Sequence, residues 1–145
     1  MTHVTSLPVK TKTIDARGPR FSAGITVVVL ATALATQSPW VLAIQAIVFA
    51  IGALRGPQFT PYAFIFRKLV RPRLKGAVPT EDVRPPQFAQ SVGLLFTLVA
   101  LAGSLSGIGI VFTIATGFAL AAAFLNAAFD FCLGCEVYLL LLRLR

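Results

Sequence analysis

The chain has 145 residues, of which 57% are hydrophobic and only 12% are charged, a composition that excludes an ordinary soluble domain with its roughly one quarter of charged residues. An integral membrane protein is the expected class, and two cysteines are too few for a disulfide-stapled scaffold. Thirteen Lys and Arg stand against five Asp and Glu, and because these bases flank apolar runs, their expected counter-charge is anionic lipid headgroups and not nucleic acid.

Residues 1–20 form a polar, basic segment that cannot bury a core, and they are predicted to be a cytoplasmic leader. The segment lacks the apolar stretch and small-residue cleavage site of a signal peptide, so the first apolar run is expected to stay in the product. His3, the only histidine, is interpreted as a solvated terminal residue and not as a ligand.

Two uncharged apolar runs, 21–37 and 39–54, predict a first transmembrane hairpin over residues 21–54. Pro39 favours the first turn of a new helix and Trp40 favours a membrane interface, so the chain is expected to reverse between the runs. Each run of about 16 residues extends about 24 Å as a helix, against a hydrocarbon thickness of about 30 Å. Whether this short hairpin crosses the bilayer completely is left open.

Residues 55–87 carry seven of the bases, six prolines and the acidic pair Glu81 and Asp82, and they are predicted to be a basic cytoplasmic loop. Within the loop, residues 61–70 can form a short helix in the membrane interface, with aromatic side chains on one side and bases toward the headgroups. We expect these basic side chains to be attracted to the anionic inner leaflet and not to form a specific ligand site.

The apolar runs 88–104 and 107–131 predict a second transmembrane hairpin over residues 88–131. Small residues are dense in it, which favours close packing of helix backbones. Residues 132–145 contain the Cys-x-x-Cys and a predicted C-terminal interfacial helix. The predicted fold is therefore all-α, with four transmembrane helices arranged as two hairpins and a short interfacial helix after each hairpin.

The positions of the bases predict the orientation. All thirteen precede the first hairpin, lie between the hairpins or follow the second, and neither hairpin tip carries one. By the positive-inside rule, both termini are predicted to be cytoplasmic, and the Cys-x-x-Cys lies on the same side.

The two halves of the chain also resemble each other. Gly-Pro-Arg-Phe at 18–21 opens the first hairpin as Pro-Pro-Gln-Phe at 85–88 opens the second, and the Tyr-to-Arg spacing of 62–67 recurs at 138–143. Two parallel repeats are predicted, each a hairpin followed by an interfacial helix. In the first copy, Gly-Pro-Gln-Phe at 56–59 takes the place of the cysteines.

Cys132 and Cys135 are the candidate site. Two thiols at this spacing can close a small disulfide ring, carry a persulfide or supply half of a metal site. Near the N-terminus of the predicted following helix a thiolate is favoured, so Cys132 is the candidate nucleophile and Cys135 the resolving thiol. The neighbouring carboxylates of Asp130 and Glu136 act in the opposite direction, and the sequence does not decide which effect is larger.

Asp130 has two interpretations, because it could transfer a proton to and from Cys132 or could simply mark the point where a helix meets water. Asn126, one turn earlier, is expected to form a hydrogen bond across the bundle, and Glu136 to favour the start of the following helix. No metal and no cofactor is assigned, because structural zinc takes four ligands and a partner would have to supply the rest.

The chain resembles the family of small bacterial membrane proteins called domain of unknown function 4395, over about 15–138. The resemblance rests on Gly-Pro-Arg-Phe at 18–21, Leu-Val-Arg-Pro-Arg-Leu at 69–74, Glu-Asp at 81–82 with Pro-Pro-Gln-Phe-Ala-Gln at 85–90, and Asn126 with Phe-Cys-Leu-Gly-Cys-Glu-Val-Tyr at 131–138. The last motif is the most specific. Family members commonly have glycine before the Phe-Cys, where this chain has Asp130.

The resemblance implies a multi-pass protein of the bacterial cytoplasmic membrane. Its members are similar in setting to proteins encoded beside thioredoxin-like and rhodanese-like sulfurtransferase partners, which implies thiol redox or sulfur handling. The hairpin layout also looks like that of quinone-linked disulfide-forming membrane oxidoreductases. Those place their cysteines on the outer side, so the predicted inner location argues against quinone-driven disulfide export.

We predict that the protein uses Cys132 and Cys135 for dithiol–disulfide exchange or persulfide relay with a cytosolic thioredoxin-like or rhodanese-like partner, with Asp130 as a further site residue. Two alternatives stay open: a non-catalytic membrane scaffold or assembly subunit, and a small sulfur-compound channel. The apolar runs contain no charge before Asp130, so no charged relay crosses the membrane. Whether the chain is itself an enzyme is left open.

Overall fold

The computed structural model describes residues 13–74 and 80–144, which fold into helices and one pair of short strands. In chain order the elements are strand β1 (Thr13–Asp15), helices α1 (Arg17–Thr36) and α2 (Pro39–Leu54), a 3-10 turn (Pro57–Phe59), helix α3 (Pro61–Ile65) continued by a π turn (Phe66–Val70) and a 3-10 turn (Arg71–Arg73), strand β2 (Thr80–Asp82), and helices α4 (Arg84–Leu105), α5 (Gly109–Phe129) and α6 (Leu133–Leu144). Most of the predicted leader, including His3, lies outside the described residues.

Long apolar helices dominate the described part of the fold, as the composition predicts. Among the described helices, α1, α4 and α5 are long and apolar enough to span a bilayer, whereas α2 is a shorter apolar helix of 16 residues. Large apolar side chains such as Ile44, Leu95 and Phe118 are exposed on the helix surfaces. Exposed apolar side chains of this kind are what lipid contact requires.

The chain reverses where the sequence predicts the hairpin tips. Gln37 ends α1 in the left-handed conformation, and the Ser38 hydroxyl accepts a hydrogen bond from the Val41 N–H at 3.3 Å, which caps α2. The second reversal uses Gly107, whose φ of 79° is a conformation that glycine adopts without a steric penalty. Short turns therefore produce two antiparallel helix pairs.

The hairpins pack on each other through small residues and a few large apolar ones. Helix α1 packs against α5, α2 against α4, and α4 against α5. The core residues they share are Leu30, Ala33, Leu42, Ala100, Phe112, Ala115 and Ala119. Alanine at several of these positions lets the helix backbones approach closely, which agrees with the density of small residues in the second hairpin.

A buried polar network fixes α3 to the first hairpin. The Tyr62 hydroxyl donates to Gln45 Oε1 at 2.7 Å, and Gln45 Nε2 donates to Thr26 Oγ1 at 3.5 Å. Gln45 and Thr26 lie on α2 and α1 and are buried. The network satisfies polar groups that would otherwise be costly inside an apolar bundle, so the segment after the first hairpin has a defined position.

Strands β1 and β2 join the beginnings of the two hairpins in an antiparallel pair, with Ile14 opposite Glu81 at its centre. Each strand ends in an aspartate whose carboxylate accepts from the arginine two residues later: Asp15 from Arg17 and Asp82 from Arg84. These aspartates also accept the arginine backbone N–H groups, so each cap fixes the start of its helix.

The first turns of α1 and α4 also make similar contacts. Arg20 on α1 donates to the carbonyl of Ala127 at the end of α5, and Gln87 on α4 donates to the carbonyl of Ala53 at the end of α2. Both contacts satisfy carbonyl groups at a helix C-terminus. Arg20 and Gln87 therefore make similar contacts, each from the first turn of a long helix to the end of a neighbouring helix.

After the hairpins, the structure corrects the sequence alignment of the two copies. Thr60 Oγ1 accepts from the Ala63 N–H at 3.2 Å at the start of α3, just as Cys132 Sγ accepts from the Cys135 N–H at 3.1 Å at the start of α6. Thr60 and Ala63 are thus the counterparts of the cysteines, and the predicted correspondence with residues 56–59 was wrong by one helical turn. The predicted alignment matched Tyr62 with Tyr138, but Tyr62 is the second residue of α3 and Tyr138 is the sixth residue of α6.

Candidate functional site

The site is built at the junction between α5 and α6. Asp130 ends α5 in the left-handed conformation, with φ of 55°, and its N–H donates to the carbonyl of Asn126 at 3.1 Å. The next N–H, that of Phe131, donates to the carbonyl of Leu125 at 3.2 Å. This double contact closes the helix C-terminus and turns the chain, so Cys132 follows the turn directly.

The Sγ atoms of Cys132 and Cys135 lie at the distance of a disulfide bond. Cys132 immediately precedes α6, and its Sγ accepts the Cys135 N–H, while its carbonyl accepts the Glu136 N–H at 3.0 Å. A sulfur atom in this position faces unpaired N–H groups at the start of a helix, where negative charge is favoured. Once the disulfide is reduced, a thiolate on Cys132 has a hydrogen-bond donor already in place.

On one side, the disulfide opens into a polar cavity of about 600 Å³. Four of the five acidic residues of the whole chain line it: Glu81, Asp82, Asp130 and Glu136. None of the described lining residues is basic, although the protein carries a net charge of +8. The cavity is therefore strongly negative for its surroundings, and a cationic group would be favoured beside the disulfide.

The pKa values of two adjacent carboxyl groups in this cavity shift in opposite directions. Burial raises the pKa of Glu81 from its ordinary value of 4.5 to about 7, and the nearby carboxylates of Asp130 and Asp82 act in the same direction. Burial also raises the pKa of Asp82, but the hydrogen bonds from Arg84 outweigh it and lower the pKa overall. Glu81 is thus the group that can gain and lose a proton near neutrality, while Asp82 stays ionised.

On its other side, the disulfide borders a second cavity, of about 390 Å³, that is lined mainly by apolar side chains. The lining comes from α1, α2, α4, α5 and the first turn of α6, and it includes Phe49, Phe96, Phe118 and Ala122. Cys132 and Asn126 line both cavities. The disulfide therefore lies between a polar space and an apolar one.

The chain matches a protein-family model over almost its full length. A family model described as domain of unknown function, DUF4395, matches residues 14–143. The chain belongs to this family. No curated protein and no solved structure matches it. The resemblance carried by the motif at 131–138 is confirmed, and since the family description names no reaction, function has to be argued from the site.

The structure brings the predicted site residues together and adds one. Cys132, Cys135 and Asp130 border the same polar cavity, and Glu136 lies in the first turn of α6, as predicted. Asn126 lines both cavities. Glu81 was assigned only to an acidic pair in the loop, since nothing in its immediate sequence indicates that it lies beside the cysteines.

A signal for Glu81 was nevertheless present in the sequence. Thr-Ile-Asp-Ala-Arg at 13–17 and Thr-Glu-Asp-Val-Arg at 80–84 are aligned copies of one motif. The second position is Ile14 in the first copy and Glu81 in the second. An acidic residue in only the copy that carries the cysteines indicates a role at the cysteines.

Proposed function

We propose that the protein carries out thiol–disulfide exchange between Cys132–Cys135 and a cytosolic dithiol protein of the thioredoxin-like class. The observation that carries the proposal is the disulfide at the start of α6 that opens into a cavity holding a carboxyl group able to transfer a proton near neutrality. Such a constellation supplies both a reactive sulfur and an acid–base group beside it.

The exchange starts from the disulfide. A thiolate of the partner attacks Cys132 Sγ, a mixed disulfide forms, the Cys132–Cys135 bond breaks, and its electron pair leaves on the sulfur of Cys135. Protonated Glu81 gives its proton to this leaving thiolate. The partner's second thiol then attacks the partner sulfur of the mixed disulfide. This step releases Cys132 as a thiolate, which the Cys135 N–H stabilises. Two electrons have passed from the partner to this protein.

The charge of the cavity supports disulfide exchange over relay of an anionic sulfur species. Hydrosulfide, thiosulfate and a persulfide anion would each have to approach four carboxyl groups. A protein partner can instead place basic side chains around its own thiol and be attracted to the same cavity. We therefore expect the partner to have a basic rim around its reactive cysteine.

Trapping of a mixed disulfide tests the proposed function. With Cys135→Ser, the remaining Cys132 thiol attacks a partner disulfide and cannot be released, so a covalent complex is expected on non-reducing gels and in mass spectrometry. Cys132→Ser is the matched control, and it should trap at least about tenfold less because Ser at that position cannot attack a partner disulfide and the remaining Cys135 does not precede the helix as Cys132 does. If neither variant captures a thiol protein, and cells that carry the double serine variant behave as wild-type cells do, a non-catalytic scaffold is the better description.

We further propose that all four long helices, including α2, cross the membrane with both termini in the cytoplasm. Among the described residues, the bases lie away from the tips formed by 37–38 and 106–108, in agreement with the positive-inside rule. The expected location is the bacterial cytoplasmic membrane, where the bases contact anionic headgroups.

Single cysteines in a Cys132→Ser, Cys135→Ser background test this topology. Ser106→Cys at the second tip is expected to react with a membrane-impermeant maleimide on intact cells. Arg73→Cys, in the connecting segment, is expected to react only after permeabilisation. The reverse pattern would place the disulfide on the outer side, and reaction of Ser38→Cys from the same side as Arg73→Cys would show that the first hairpin does not cross.

A further inference from the structure

The apolar cavity beside the disulfide has features of a ligand site and not of ordinary packing. Its volume of about 390 Å³ lies within the range of about 300 to 1,000 Å³ that small-molecule sites occupy. Aromatic side chains of Phe49, Phe96 and Phe118 line it, and Cys132 forms part of its wall. A molecule held here would touch the redox-active sulfur from the side of the helix bundle.

Two carboxamide groups supply the polar part of the cavity. Gln90 and Asn126 line it, whereas Gln90 Oε1 itself is buried against Gly52 of α2 and is closed to a ligand. A carboxamide donates hydrogen bonds through its NH₂ group, so these side chains can serve a carbonyl oxygen of a ligand.

We infer that this cavity binds a membrane-soluble quinone that accepts the electrons of the Cys132–Cys135 dithiol. A quinone has an apolar ring with two carbonyl groups, and its reduced form has two hydroxyl groups, which matches an apolar wall with carboxamides at its polar part. The inference rests on the proposed exchange function, because that function reduces the disulfide and leaves a dithiol to be reoxidised. The electrons come from a cytosolic partner, and no disulfide is exported.

The reaction balances without a further reactant. The Cys132 thiolate and the Cys135 thiol give up two electrons and form the S–S bond, while the quinone takes up two electrons and becomes the hydroquinone. The hydroquinone needs two protons, of which one comes from Cys135 and the other from the polar cavity. One quinone is consumed for each dithiol.

Reoxidation of the reduced, detergent-solubilised protein tests the inference under anaerobic conditions. Decylubiquinone is the probe, hydroquinone formation and thiol alkylation are the two readouts, and the wild type is expected to form one hydroquinone per protein. Ala122→Phe fills the cavity and should slow this reaction about tenfold or more. Ala121→Phe, on the exposed neighbour that does not line the cavity, is the matched control and should react as the wild type does.

A second oxidant separates this inference from the proposed function. Cystamine, a dicationic disulfide that the acidic cavity attracts, reaches the cysteines through the polar cavity, so it should oxidise the wild type and both variants at similar rates. Ala123→Leu narrows the same apolar cavity and is measured in parallel, so that a misfolded Ala122→Phe variant does not decide the result. Oxidation of the wild type by cystamine but not by decylubiquinone would overturn the quinone site and leave exchange standing. Equal quinone rates in the cavity-filling and control variants would also overturn it, and failure of both oxidants would overturn both proposals.

Discussion

Glu81→Gln is expected to slow reduction of the Cys132–Cys135 disulfide by about 100-fold at pH 6, because general acid catalysis typically contributes a factor of this order or more. The pKa of Glu81 is raised to about 7, so the side chain is protonated below that pH and can donate to the Cys135 thiolate as it leaves. Above pH 7 the carboxylate has no proton to give. The wild-type rate constant, expressed per thiolate of the attacking reagent, should therefore fall as the pH rises through about 7.

Stopped-flow reduction with dithiothreitol between pH 5 and 9 measures this profile, and Glu81→Gln should make it flat. Asp130→Asn is the matched control, since Asp130 lines the same cavity and its charge contributes to the raised pKa of Glu81. Removing that charge should move the midpoint to lower pH and keep the maximum rate. If Asp130→Asn loses the activity and Glu81→Gln keeps it, then Asp130 is the proton donor, as one interpretation of the sequence suggests.

Gly134→Ala is expected to destabilise the fold by about 1 to 3 kcal/mol and to slow disulfide exchange by about 100-fold. A Cβ atom at Gly134 would lie 2.7 Å from both Cα and Cβ of Ala89 on α4. Because one of these atoms belongs to the backbone, a side-chain rotation cannot relieve the overlap, and the first turn of α6 has to move. That turn holds Cys135 and the N–H group that donates to Cys132 Sγ.

The matched control is Gly117→Ala on α5, where an added Cβ meets nothing within 4 Å. It should leave activity unchanged and raise stability slightly, because alanine favours a helix more than glycine does. Thermal unfolding in detergent and the dithiothreitol assay measure the two effects. Equal behaviour of the two alanine variants would mean that the contact between α6 and α4 does not position the cysteines.

The apolar runs predicted the long helices because hydropathy follows lipid exposure directly. The apolar runs begin four residues after the starts of the long helices α1 and α4, because Arg17 and Arg84 belong to their helices although they are charged. Their aspartate caps, and not their hydropathy, decide where these helices begin. The two tips were predicted closely because Pro39 and Gly107 impose local backbone conformations that are readable from sequence.

The candidate site was predictable only where it is local. Cys132, Cys135 and Asp130 lie within six residues, so their proximity is given by the chain itself. Glu81 reaches them through pairing of two three-residue strands that are far apart in sequence, and such short strands carry no reliable pattern. The apolar cavity depends on how five helices pack, which no periodicity in one helix describes.

The pairing of β1 with β2 also bears on the origin of the chain. Thr13 is paired with Asp82, Ile14 with Glu81, and Asp15 with Thr80. The first residue of each strand therefore lies opposite the third residue of the other strand, and the two second residues lie opposite each other. Two identical protomers make a contact of this form about a twofold axis. A single hairpin unit could therefore have associated with a second copy of itself through this strand before the two were joined. Fusion into one chain removes the requirement of identity, so that one half can carry Glu81 and two cysteines while the other keeps Ile14, Thr60 and Ala63.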